Sequence, residues 1–172
     1  MLDSTRLSLV PMTVELIDAL VEGDRVRAEA VLGVHFPEPL RPPPETADML
    51  GVFRDQVRQP ADFPPYLVVR SADRIVVGSA GTTAPDADGV VVLGYGIYPE
   101  HEGQGYATEA ATTLSRARLA DGRVRVVRAT IPPGHLASER VAARAGLVAT
   151  GRLLEDEGRT VQAWERGRDT AR

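Results

Sequence analysis

Residues 101–110 read HEGQGYATEA, and this stretch decides how the rest of the chain is read. Before it, Val90 to Tyr98 (VVVLGYGIY) is an apolar, strand-like run. After it, Ala107, Ala110, Ala111, Leu114 and Ala117 fall at helical spacing, with Glu109, Thr112, Thr113 and Arg116 on the other face. Gly103 and Gly105 therefore stand where a strand hands over to a helix. A helix start carries unpaired N–H groups and the positive end of the helix dipole, so it attracts anions. Glycines there remove the β-carbons that would hold a phosphate away from the backbone. Each amide–phosphate bond is charge-assisted and contributes roughly 1.5–3 kcal/mol, so a loop offering several amides can hold a pyrophosphate without a lysine. Spacing alone leaves open a glycine-rich turn made only for compactness. A dinucleotide-binding fingerprint does not fit, because its third glycine is absent and the unit follows an antiparallel meander. A Walker loop does not fit either, since no Gly-Lys-Ser/Thr is present.

Composition narrows the classes around this loop. The chain has 172 residues, enough for one domain with a substantial core. No apolar run approaches the roughly 18 residues of a membrane span, and Met1 to Val10 lacks the pattern of a signal peptide. There is no cysteine, hence no disulfide framework and no thiolate ligand. A soluble, cytoplasmic protein without a membrane partner is the expectation. The net charge of −4 argues against a nucleic-acid binder with a broad basic face. All 20 basic residues are arginine, and lysine and asparagine are absent, which reads as codon bias in GC-rich DNA. Three isolated histidines without ligand spacing predict no metal site.

Working outward, residues 6–12 alternate as a short strand, and Val14 to Leu32 carries helical spacing for one helix or two short ones. Residues 35–45 contain five prolines and form a loop; residues 45–58 read as a further helix. Strands at 66–70 and 74–80 make a hairpin through Ser71-Ala72-Asp73, and the turn at 84–89 leads into the strand ending at Tyr98. Beyond the helix that follows the glycines come a strand at 124–131, a helix at 136–145, a strand near 147–154, a turn at 155–158 and a last strand near 160–166. This order predicts a mixed α/β (α+β) single domain spanning 1–172 with its core at about 6–166.

Residues 93–110 (LGYGIYPEHEGQGYATEA) resemble the signature of the GNAT N-acetyltransferases, Gln/Arg-x-x-Gly-x-Gly/Ala, with Gly105 and Ala107 at its last two fixed positions. The spelling GQGYATEA is similar to that of the branch containing the ribosomal-protein-alanine N-acetyltransferases. Residues 135–147 (HLASERVAARAGL) resemble the second signature, Asn-x-x-Ser followed by Gly-Phe. The resemblance covers about 6–166. It implies a central, mostly antiparallel twisted sheet, splayed between its fourth and fifth strands (90–98 and 124–131) and flanked by helices. It implies acetyl-CoA as co-substrate, its pyrophosphate on the amides of Gly103, Gln104, Gly105, Tyr106, Ala107 and Thr108. The pantetheine arm would pair with the strand end at Ile97 and Tyr98. Gly94 and Gly96 suit a bulge there, or else a kink under a neighbouring side chain.

Several positions depart from the family pattern. Glu102 stands where Gln or Arg is usual and is expected to face solvent. His135 replaces the Asn, at a cofactor-binding position, and Leu147 replaces Phe. The tyrosine that serves many of these enzymes as general acid would fall at Ala142 and is absent. Ser138 matches a serine that steadies the leaving thiolate in the ribosomal-protein branch, and is the catalytic candidate; a plain first-turn serine is the other reading. Glu155 and Glu157 are the available general-base candidates, though both also read as solvated turn residues. His35, in the proline-rich loop, is a candidate contact to the acceptor, and His101 reads as a solvated loop residue.

The acceptor must attack as a neutral amine. For a lysine-like amine of pKa about 10.4, deprotonation at pH 7 costs about 4.6 kcal/mol, against about 1–1.4 kcal/mol for an α-amino group. A weak base therefore suits a peptide N-terminus or a small amine of low pKa. The expected activity is transfer of an acetyl group to such a primary amine by direct attack. A CoA-binding module without turnover and an α/β nucleotide-binding domain remain as alternatives. Relatives often dimerise, so a homodimer is also an expectation.

Overall fold

The computed structural model describes residues 1–44, 54, 57, 62–156 and 158–168. Eight strands form one sheet in the order β1-β2-β3-β4-β5-β6-β8-β7. They are β1 (Leu2–Asp3), β2 (Leu7–Pro11), β3 (Tyr66–Arg70), β4 (Val76–Thr82), β5 (Val90–Ile97), β6 (Val126–Ile131), β7 (Val148–Asp156) and β8 (Arg159–Gly167). Neighbours run antiparallel except β5 and β6, which are parallel. The helices described are α1 (Val14–Glu22), α2 (Arg25–Leu32), α3 (Tyr106–Ala120) and α4 (Leu136–Arg144), with a short 3₁₀ turn at Pro99–His101.

Strand alternation sends side chains to two cores, one on each face of the sheet. Leu7, Leu9, Val68, Val91, Leu93 and Ile97 pack with Ala110, Ala111 and Leu114 of α3 and Ala142 of α4. Val10, Leu67, Val69, Val76 and Tyr98 pack with Leu16, Ile17 and Leu20 of α1 on the other. The apolar stretch 14–32 becomes two helices because it contains both a stop and a start signal. Gly23 closes α1 in the left-handed region at φ 70°, and the Asp24 side chain accepts from Arg27 N to open α2.

The sheet parts where the loop of interest begins. β5 pairs with β6 only at Val90, Val91 and Val92; from Leu93 to Ile97 it pairs with β4 alone. β6 beyond Arg128 pairs only with β8, so a gap opens between Leu93–Ile97 and Ala129–Ile131. This is the splay expected between the strands at 90–98 and 124–131.

Two expectations are corrected. Glu155 and Asp156 lie in β7, paired with Thr160 and Arg159, so the turn at the end of the chain is tighter than 155–158. β5 holds unbroken register against β4 from Leu93 to Ile97, so Gly94 and Gly96 form no bulge. Gly96 is instead cleared for the proline-rich loop: a β-carbon there would meet Pro44 O at 2.6 Å, whereas one at Gly94 would meet nothing within 4 Å. The helix expected at 45–58 lies outside the described residues apart from Arg54 and Val57, which are helical. Glu157 lies outside them too.

Candidate active site

Gly103 and Gly105 both adopt positive φ, 72° and 81°, a region open to glycine at little cost. Gly105 is the N-cap of α3 and offers no side-chain cap. The first main-chain bond of α3 is donated by Glu109 to Gly105 O at 3.1 Å, so the amides of Tyr106, Ala107 and Thr108 have no partner inside the helix. Gly103, Gln104 and Gly105 are exposed, while the Tyr106 side chain is buried and anchors the helix start. A left-handed Gly-x-Gly turn leading into an uncapped helix can cradle a polyphosphate. Glu102 is exposed, as expected of a carboxylate beside such a site.

A neighbouring segment holds this turn in place. The Arg6 guanidinium donates to Gln104 O at 3.0 Å and to Glu109 Oε2 at 2.8 Å, and its Cζ lies 4.9 Å from the centre of the Tyr106 ring. Ser4 Oγ and Arg6 N donate to Glu109 Oε1 at 2.8 and 2.7 Å. Burial works to raise the Glu109 carboxyl, but the bonds from the Arg6 amide, the Ser4 hydroxyl and the Arg6 guanidinium hold it below its ordinary value. Sequence reading did not find Arg6.

The strand end behaves differently at its two candidate residues. Tyr98 donates its N–H to Val77 O at 2.9 Å and accepts from His101 N at 2.8 Å, so its main chain is already engaged. Its ring is fully buried, its hydroxyl donates to Arg41 O at 2.8 Å, and burial pushes the phenol far above its ordinary range. Tyr98 thus pins the proline-rich loop to β5. Ile97 lies one residue back, where antiparallel alternation turns the main-chain groups away from β4 and into the gap.

α4 starts beside this gap. The His135 ring accepts from Ser138 N at 3.4 Å and so acts as the N-cap of α4. Ser138 O accepts from the Tyr95 hydroxyl at 3.2 Å, a tie from β5 to the first turn of α4. Among the described residues the Ser138 hydroxyl has no hydrogen-bond partner, and Ser138 is only partly buried. Ala142, one turn further on, is buried in the core on that face. Glu155 accepts from Thr160 Oγ1 at 3.0 Å within the β7–β8 hairpin, and no hydrogen bond ties it to Ser138 or to the glycine turn. His35 is bonded through its main chain to Arg74 and Val76, with its ring 3.7 Å from the Glu29 carboxylate. Among the described residues no group of three His, Asp or Glu side chains could hold a metal ion.

The acetyltransferase (GNAT) domain model matches residues 6–148. The chain belongs to the GNAT acetyltransferase family. Its fold has counterparts among solved structures. A Vibrio cholerae chain assigned as a ribosomal-protein-serine acetyltransferase is 18% identical, with 96% of each chain covered and a TM-score of 0.68. RimL, the ribosomal L7/L12 α-N-protein acetyltransferase solved with coenzyme A, is 18% identical over 98% of this chain and 97% of its own, with a TM-score of 0.67. The aminoglycoside acetyltransferase AAC(6')-Ib, also solved with coenzyme A, is 17% identical over 94% and 95%, with a TM-score of 0.67. At these identities the likeness concerns the fold. No curated protein matches this acetyltransferase significantly. Among the described residues no helix is long and apolar enough to cross a membrane.

Proposed function

We propose that this GNAT protein moves the acetyl group of acetyl-CoA to a primary amine by direct attack. The observation that carries the reading is the left-handed Gly103-Gln104-Gly105 turn opening an uncapped α3 at the end of β5, next to the gap between β5 and β6. The amides from Gly103 to Thr108 hold the pyrophosphate. The pantetheine arm runs along the β5 edge at Ile97, so the thioester reaches the gap; Tyr98 contributes by fixing that edge. The proline-rich loop, packed on Gly96 opposite the α3 and α4 face, offers the acceptor an approach from the other side.

The amine nitrogen bonds the acetyl carbon as the carbon–sulfur bond breaks, and the sulfur leaves with the bonding pair. Ser138, its hydroxyl uncommitted, donates to that sulfur. His135 contributes at one remove by capping the turn that carries Ser138. The ammonium proton leaves to water or a weak base. Glu155 is the carboxylate candidate for that role, although its own bond is to Thr160.

Among the described residues no tuned base stands beside Ser138, which favours an acceptor of low amine pKa, a peptide α-amino group or a small-molecule amine. The similar structures span both kinds, RimL being an α-N-protein acetyltransferase and AAC(6')-Ib an aminoglycoside acetyltransferase. A cytoplasmic setting follows from the donor, and a homodimer is compatible with the reading. Incubation with acetyl-CoA and a mixed amine library, read by mass, tests it. Acetylated products are expected, with kcat/KM rising with pH to a plateau at the acceptor's own pKa. Tight CoA binding without any acetylated product would instead make the protein a binding module.

A further inference from the structure

We propose that Arg6, from the turn between β1 and β2, is a positioning residue for the pyrophosphate cradle. It neutralises the carboxylate that the cradle's own helix carries, and it fixes the direction of one cradle amide. The inference rests on the acetyl-CoA reading above and adds a residue about a hundred positions away from the glycine turn.

Glu109 sits in the first turn of α3, where a carboxylate is favoured by the helix dipole. The same helix end must receive a polyphosphate, and an unopposed carboxylate one turn inside would repel it. Its side chain is only 16% exposed, so solvent screens it weakly. Arg6 grips a single oxygen, Oε2, with two guanidinium nitrogens, Nε at 2.8 Å and Nη2 at 2.7 Å, while its main-chain N–H reaches Oε1. The ion pair leaves the cradle electrostatically open to an anion.

The third guanidinium nitrogen acts on geometry. Arg6 Nη1 donates to Gln104 O at 3.0 Å. In a trans peptide the carbonyl and the following N–H point in opposite directions. Holding Gln104 O toward Arg6 therefore aims the Gly105 N–H the other way and keeps that carbonyl from turning to face the phosphates. Arg6 Nη2 also lies 3.5 Å from where a Gly105 β-carbon would stand, which places the cation at the turn itself. The Tyr106 ring supports the guanidinium at 4.9 Å.

The test compares the wild type, Arg6→Ala and Arg6→Ala/Glu109→Gln by calorimetry with CoA, and by NMR titration with S-acetylpantetheine, which lacks the pyrophosphate. Arg6→Ala is expected to weaken CoA at least tenfold while S-acetylpantetheine affinity changes less than twofold. Removing the orphaned carboxylate in the double variant is expected to recover part of the lost CoA affinity, at least threefold over Arg6→Ala, the remaining deficit being the loss of the bond to Gln104 O. CoA affinity unchanged in Arg6→Ala, an equal loss for both ligands, or no recovery in the double variant each overturns the proposal while leaving the acetyl-CoA reading intact. A wild type that does not bind CoA overturns both. Should Arg6→Ala fail to fold, Arg6→Gln, which keeps a donor for Gln104 O without the charge, is expected to lose at least threefold in CoA affinity, and no loss overturns the charge argument.

Discussion

Replacing Gly105 by alanine separates what the glycine does for the fold from what it does for the ligand. Gly105 sits at φ 81°, ψ 6°, a conformation costing an L-residue about 1–2 kcal/mol. A β-carbon there would meet only Arg6 Nη2, at 3.5 Å, which is ordinary contact, so no steric clash adds to the strain. For a chain of this size the loss corresponds to a fall of about 2–8 °C in Tm. Gly151 in β7 provides the control: its φ is 75°, nothing lies within 4 Å of its missing β-carbon, and it is remote in sequence from the cradle. Gly151→Ala is expected to lose similar stability and keep CoA affinity. Gly105→Ala should also lose about one charge-assisted amide–phosphate bond, which is at least tenfold in Kd, or about 1.4 kcal/mol. Thermal melts and calorimetry on both variants give the four numbers needed. If Gly105→Ala melts lower but binds CoA as Gly151→Ala does, the glycine serves the turn alone and the phosphates bind elsewhere.

Ser138→Ala should lower kcat with little change in CoA Kd, because a hydrogen bond to the leaving sulfur strengthens only as charge develops; parallel losses in binding and stability would point to a helix-start role. Gly96→Ala would place a β-carbon 2.6 Å from Pro44 O, so the proline-rich loop must shift, costing about 1–3 kcal/mol; an unchanged Tm and acceptor KM would show that this packing is slack. The Glu109 carboxyl is held below its ordinary value of 4.5, so the unfolded chain binds more protons than the folded one as pH drops past that value. The stability it contributes is therefore complete above about pH 4.5 and is lost as pH falls through its lower folded value. Glu109→Gln should flatten the acid limb of a denaturation profile, and an identical limb would show the ion pair to be inert.

What the sequence determined by itself is local and periodic. The change from strand to helical spacing around residue 100 and the paired glycines before the helix act on neighbours within a turn of chain. The backbone conformations they demand were therefore readable one segment at a time. The opening of β5 from β6 was legible only through the family resemblance, since strand pairing is not written in either strand alone. Tertiary structure decided the rest, because sheet order is set by competition among all strands for partners and by burial on both faces. That order brings Arg6 to Glu109 and Tyr95 to Ser138, residues 103 and 43 positions apart, and lays Pro44 over Gly96. It also turned one local reading aside. Glu155 looked like a turn residue until pairing with Thr160 extended β7 past it. A charge pair or a buried hydroxyl has no period for a sequence to display; it exists only once folding has put its two halves together.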